Sequence, residues 1–336
     1  MATDLYTIKQ KWNDLLEGEA GSSMAARYLL AGPAKLRIYL VIRYPEKTPA
    51  IEIGPIPPDV YKGTIFPQLK GIETHLTSDT SDCFLAADLN QTGAADVFLI
   101  LAARLCEALQ YVSTPITACG IVSKELKHWQ KFFAPNRQIL TRSQQVGLAG
   151  ELIFMLQLIE NGLDASDILK AWQGTEKSHH DFHFEKCSVE IKTTTSSNLD
   201  CVNITSLRQL ERVGTKELYL TQLALDQHDN EEQQLFQLVN SFKELLTSSY
   251  LDQVVFAEKL INIGYREQDI SQYETCGYTL RKSRIFTIDE HFPCLTTKKI
   301  PPEIVEVSYK LSLTGMSKNT MSSKQLFELI SGKNYE

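Results

Sequence analysis

Asp181-Phe-His-Phe-Glu-Lys-Cys-Ser-Val-Glu190-Ile-Lys192 is the stretch on which the fold turns. Phe182 and Phe184 alternate with Asp181, His183 and Glu185; Val189 and Ile191 alternate with Ser188, Glu190 and Lys192. Both runs have the period of a half-buried strand. A two-residue turn at Lys186-Cys187 would pair Phe184 with Val189, His183 with Glu190, Phe182 with Ile191 and Asp181 with Lys192. The apolar side chains then share one face and the polar ones the other, and a one-residue slip would mix them. Lys-Cys is not a favoured turn pair, which leaves a longer or bulged loop as the alternative. In this register Asp181 and Glu190 are diagonal neighbours, with Cα atoms roughly 7–8 Å apart. Their carboxylates can converge on one ion at about 2.0–2.1 Å, the Mg²⁺–oxygen distance. Two carboxylates and a lysine on one face suit a divalent cation and a phosphodiester.

Glu190-x-Lys192 alone is weak, because Glu125-x-Lys127 repeats the pattern in a helical stretch. A solvated strand face with an Asp181–Lys192 ion pair accounts for it equally well. Glu151 shifts the balance. It heads Leu152-Ile-Phe-Met-Leu-Gln-Leu-Ile, within a helix expected over residues 143–159 that is apolar on nearly all sides and therefore buried. Carboxylates are seldom buried unless paired or bound to metal. The alternative is a glutamate near a helix N-terminus, favoured by the macrodipole. Gly147 and Gly150 would allow the helix to approach closely.

At 336 residues, one to three domains are plausible. No apolar run is long enough to span a bilayer. Residues 1–20 place Leu5, Ile8, Trp12, Leu15 and Leu16 on a helical stripe, an amphipathic helix rather than a signal peptide. Seven scattered cysteines without a Cys-x-x-Cys pair indicate neither a zinc ribbon nor a disulfide framework, and a reducing cytoplasm is the expected setting. A net charge of −7 opposes non-specific polyanion binding without excluding a local basic groove.

Three regions are expected. Residues 1–120 form an α+β module, with strands at 36–44 and 50–53 and a helix capped by Thr92 and running to about Gln110. Residues 121–225 hold a helix over 124–133 broken by Pro135-Asn136, the 143–159 helix, the hairpin, and strands at 202–205 and 218–225. Residues 226–336 hold a helix over 235–246 and strands at 278–288 and 304–313.

Gly147-Leu-Ala-Gly-Glu-Leu152, Trp172-Gln-Gly174, His180-Asp-Phe182 and Val189-Glu-Ile-Lys-Thr193 together resemble the PD-(D/E)XK phosphodiesterase superfamily, in particular a little-characterised bacterial branch found near restriction-modification genes. The order and spacing match over residues 147–210, and the flanks match only in the order of elements. His180 stands where the superfamily has its proline. The resemblance implies an α/β fold with a restriction-endonuclease-like core, a central mixed sheet flanked by helices, between an N-terminal β-rich module and a C-terminal module. It implies that Asp181, Glu190 and the Ile191 carbonyl hold Mg²⁺, with Mn²⁺ as a substitute, that Glu151 assists directly or through water, and that Lys192 positions the attacking water. Such residues supply an in-line water and charge neutralisation. DNA is the implied substrate. A homodimer and restriction-modification proteins are the implied partners.

Several residues keep two readings. His179, Asp181 and His183 share a strand face opposite His180, which raises a Zn²⁺ or Fe²⁺ site; otherwise His183 bonds Glu190 or substrate. Gln209 either closes a capping box with Ser206 or points into the site as a catalytic glutamine. Thr193 to Ser196 either donate to phosphates or end a strand. Arg208, Arg212 and Lys216 line a groove or a solvated helix, and Arg281, Lys282 and Arg284 form the best remaining basic cluster. Trp172 reads as packing. The alternative function is an inactive nuclease fold used for nucleic-acid binding or assembly.

Overall fold

The computed structural model describes residues 5–18, 25–31, 36–79, 81–90, 94–130, 139–174, 179–212, 214, 216–229, 233–246, 250–273, 275–301, 303–316 and 319–332. They form two compact units. Thr92 and Pro135-Asn136, expected as a cap and a breaker, lie outside the described residues.

The first unit comprises Met1–Gln138, Gln253–Ile261 and Arg266–Gln268. Helix α1 (Leu5–Glu17) buries Ile8 and Trp12 from the amphipathic stripe. Strands β1 (Ala25–Ala31), β2 (Arg37–Arg43), β3 (Thr48–Gly54), β4 (Ile72–Ser78) and β5 (Cys83–Leu89), with the short helix α2 (Pro58–Gly63) between β3 and β4, make an antiparallel sheet in the order β1-β2-β3-β5-β4. Helix α3 (Ala95–Leu109) is buried along almost its whole length and packs against α1 and α4 (Pro115–Trp129). The helix expected over 124–133 begins nine residues earlier, because Thr114 accepts from Thr117 N as N-cap and Pro115 occupies the first turn, where its missing N–H costs nothing.

The second unit comprises Ile139–Asp252, Asn262–Tyr265 and Asp269–Glu336. Helix α5 (Arg142–Glu160) opens with a Thr141–Gln144 capping box and buries Leu148, Leu152, Phe154, Met155 and Leu158. At about 1.5–3 kcal/mol for each large apolar side chain removed from water, that set anchors it. After α6 (Ala165–Ala171) come β6 (Phe182–His183), β7 (Cys187–Thr194), β8 (Cys201–Ile204) and β9 (Glu217–His228). Helix α7 (Leu235–Leu245), strands β10 (Gly277–Thr287), β11 (Tyr309–Ser312) and β12 (Thr320–Met321), and helix α9 (Ser323–Ser331) follow, while most of helix α8 (Tyr250–Ile263) belongs to the first unit. The sheet order is β12-β10-β9-β7-β6, with β7 and β9 parallel and the other pairs antiparallel. It is the mixed sheet flanked by helices that the resemblance implies. β8 pairs with β11 in a separate ribbon, and α5 packs on β7 and α7.

Three expectations change. The hairpin pairs Phe182 with Val189 and His183 with Ser188, while Phe184 N donates to Cys187 O at 2.8 Å. The turn is therefore Glu185-Lys186, two exposed residues, and Cys187 is fully buried. A register shift of two keeps the pleat parity, so the faces are as expected and the two most hydrated side chains take the turn. The strand expected over 218–225 runs over Glu217–His228, because Tyr219–His228 find a partner in β10. The strand expected over 304–313 is confined to Tyr309–Ser312, where β8 supplies its partner.

Candidate functional site

Beyond Val189 the outer edge of β7 has no strand partner, because β6 pairs only at Val189 and Ser188. Asp181 fills that gap: its carboxylate Oδ2 accepts from the Ile191 N–H at 2.7 Å. The Asp181 backbone is held in turn, its carbonyl accepting from Gln173 N at 2.8 Å. In a strand the N–H and C=O of one residue leave on the same side, so the Ile191 carbonyl also faces this open edge. Glu190 is 2% exposed and pairs with Lys192, Nζ to Oε1, at 2.7 Å.

Glu151 arrives from the middle of α5, ten residues into the helix, so the macrodipole does not account for it. Its approach depends on Gly150: a Cβ there would stand 1.9 Å from Thr193 Oγ1 on β7. Gly147, by contrast, faces open space. The fully buried Trp172 donates its indole N–H to Glu151 Oε2 at 2.7 Å. Sequence reading missed this role, although a buried indole N–H needs an acceptor.

The electrostatics tie the four side chains together. Burial, then the Asp181 charge, pushes Glu151 up to about 8, against the Trp172 hydrogen bond and Lys192. Burial also raises Asp181, against the Ile191 N–H and Lys192. Glu190 is raised well above the carboxylate range by burial and then by Asp181, with Lys192 opposing and Glu151 adding. Three acids, Glu190 buried and Glu151 and Asp181 half-buried, thus share one ammonium.

A cleft of about 370 Å³ opens onto Asp181 and Glu190, and His179, His180, Arg208 and Gln209 also line it. Residues 179–181 form a bend rather than strand, so the expected alternation fails and His180 lies with Asp181 in the cleft wall. His180 is 3% exposed, and burial first, then His183, lowers its pKa to about 4. His183 shares a 2.8 Å hydrogen bond with Ser188 Oγ instead of bonding Glu190. Gln209 lines the cleft, but its Oε1 accepts from Thr205 N at 2.9 Å, one residue before the expected cap, because Leu207–Leu210 is a 3-10 turn.

The remaining candidates are mostly occupied. Lys216 donates to Phe184 O at 2.8 Å and Arg212 to Lys216 O at 3.3 Å. Arg281 bonds Asp226 and Ser196 O; Arg284 bonds Gln222 and Leu199 O. Thr194 and Ser196 accept from the backbone two residues on, which closes the loop after β7. Gln222 also escaped sequence reading. It pairs with Lys192 in the sheet register, is 2% exposed and donates to Leu199 and Cys201 carbonyls. Its signal was a lone amide interrupting the apolar run of a central strand.

Among the described residues, no group of three or more His, Cys, Asp or Glu side chains is already arranged to hold a metal ion. The donors nevertheless fit a hard divalent cation in kind: carboxylates and a carbonyl, three acids against one lysine, all with raised proton affinity. Among the described residues no helix is long and apolar enough to cross a membrane.

No curated protein and no solved structure matches the chain. A family described as "Putative PD-(D/E)XK family member (DUF4420)" matches residues 8–314, and the chain belongs to that family.

Proposed function

We propose that this protein is a Mg²⁺-dependent nuclease that cleaves DNA in a restriction or defence setting. One observation carries the reading: Glu151, Asp181, Glu190 and Lys192, drawn from a helix, a bend and a strand, form one electrostatic cluster in which three carboxyls compete for a single ammonium. A structural ion-pair site would balance its charges; this one gathers more carboxyls than one lysine can neutralise and raises their proton affinity, which suits a cation that takes the place of the protons.

Asp181, Glu190 and the Ile191 carbonyl would hold the ion, with Glu151 beside them. When bound, Mg²⁺ would neutralise charge on the transferring phosphoryl group and lower the pKa of a coordinated water. Lys192, one-fifth exposed and hydrogen-bonded to Glu190, would orient the attacking water and offset charge growing on the phosphate. Trp172 would keep the Glu151 carboxylate turned to the site. The cleft beside Asp181 and Glu190 admits the phosphodiester from solvent.

The test is cleavage of supercoiled and linear DNA with Mg²⁺ or Mn²⁺. Lys192→Ala should abolish product while retaining the fold, and identical digestion by both proteins rejects this site as the cleaving centre. A second reading, a nuclease fold kept for binding, is favoured by the closed pairing of Lys192 with Glu190 and of Asp181 with Ile191 N. Calorimetry separates the two: an active centre gives Mg²⁺ heat that Asp181→Ala removes.

A further inference from the structure

The cleft at Asp181 does not end at Arg208. A second groove of about 480 Å³ shares Ser206 and Arg208 with it and runs on along the segment ahead of β11. Its far wall is Pro301, Ile304, Val305 and Val307. Val305 is 97% exposed and Ile304 47%. Two adjacent branched aliphatics thus stand in water beside a polar cleft. Between the two hollows sits Arg208. Its exposed guanidinium has no hydrogen bond or ion pair among the described residues, whereas Arg212, Lys216, Arg281 and Arg284 nearby are all engaged.

We propose that this second groove holds one unpaired nucleotide flanking the scissile phosphate, with Arg208 on the intervening phosphate and Ile304 and Val305 against the base. The assignment rests on the phosphodiesterase reading of the Asp181 cleft. A free guanidinium at the mouth of a carboxylate cluster serves no internal pairing, and it matches a phosphate's geometry. The aliphatic wall offers a face to a base, and a base can reach it only when unstacked. A hollow of this size falls within the roughly 300–1,000 Å³ range of small-molecule pockets, enough for one nucleoside and not for a duplex. Glu306, an acceptor in the same groove, suits a base amino group and repels a second phosphate. The substrate is therefore a strand that is single, frayed or flipped on one side of the cut.

The experiment measures anisotropy of a fluorescein-labelled DNA hexamer, single-stranded and as a blunt hairpin of the same sequence, at 50–300 mM salt with Ca²⁺ in place of Mg²⁺. Arg208→Gln should weaken single-strand binding and reduce the slope of log K against log salt by about 0.7, the release expected for one phosphate. Val305→Asp should weaken single-strand binding about tenfold, within the range for one base contact, and leave the blunt hairpin unchanged. Lys324→Gln, on the exposed face of α9, should match wild type. Wild-type affinity and slope in either Arg208→Gln or Val305→Asp overturns the groove assignment. If those variants bind as wild type does while cleavage still depends on Lys192, the groove assignment alone fails. If wild type neither binds nor cleaves, both assignments fail.

Discussion

Replacing Glu151 with glutamine removes one ionisable group from the buried cluster while keeping an acceptor for the Trp172 indole, 2.7 Å away. Burial and the neighbouring Asp181 hold the Glu151 carboxyl at about 8 in the folded protein, whereas an unfolded glutamate titrates near about 4.3. The native state therefore binds this proton more tightly than the unfolded state does. For an acid with a raised pKa, native stability is greatest below the unfolded value and declines as pH rises through the window from about 4.3 to 8. Each pH unit in that window corresponds to about 1.36 kcal/mol. At pH 7.5 roughly three units have been crossed while the folded carboxyl still holds its proton, so keeping Glu151 in the cluster costs on the order of 4 kcal/mol relative to the ionised unfolded chain. Glu151→Gln should recover that amount at pH 7.5 and nothing at pH 4.5. In a unit of this size the gain corresponds to roughly 8–16 °C in Tm. The assay is urea unfolding followed by tryptophan emission in EDTA, at half-unit steps from pH 4.5 to 8.5. Parallel stability curves for wild type and Glu151→Gln across pH 5–8 would refute the raised pKa and, with it, the reading of Glu151 as part of an electrostatically strained site.

Other outcomes follow from single contacts. Gly150→Ala should destabilise by about 1–3 kcal/mol, the range for overpacking, and Thr193→Ala in the same chain should recover only part of it, because the Cβ that remains at 193 still stands 2.8 Å from the new methyl; Gly147→Ala, facing open space, should be neutral or slightly stabilising. Thermal unfolding of the four proteins checks both halves. Trp172→Phe leaves the buried Glu151 carboxylate without its donor and should cost about 1–3 kcal/mol; calorimetry should also show weaker Mn²⁺ binding, which a purely packing role for the indole would leave intact. In the first unit, Glu52 is fully buried between Arg27 at 2.8 Å and Arg43 at 2.9 Å. Glu52→Ala breaks both pairs but leaves Arg27 on Asp79 and Arg43 on Asp88, so it should lose about 1–3 kcal/mol, and a denaturation midpoint unchanged within error would show the pairs to be dispensable.

Local patterning made most elements legible before any coordinates. Alternation of Phe182, Phe184, Val189 and Ile191 against their polar neighbours specified a two-sided hairpin, and the apolar run after Glu151 specified a buried helix, because both signals depend only on residues close in the chain. The residue types at 151, 181, 190 and 192 likewise named the chemistry through their resemblance to a nuclease superfamily, and the family match bears out that relationship. Tertiary structure decided the rest. The hairpin slipped by two because burying Cys187 and hydrating Glu185 and Lys186 is a contest between solvent and core, which parity alone leaves open. His180 entered the cleft because a bend, not a strand, carries it. Trp172 and Gln222 acquired their roles from partners 21 and 23 residues away, and a lone polar atom in a chain does not disclose which distant group will satisfy it. The raised proton affinities of the three acids are likewise a property of shared burial, since charge repulsion and desolvation arise only when segments distant in sequence exclude the same water.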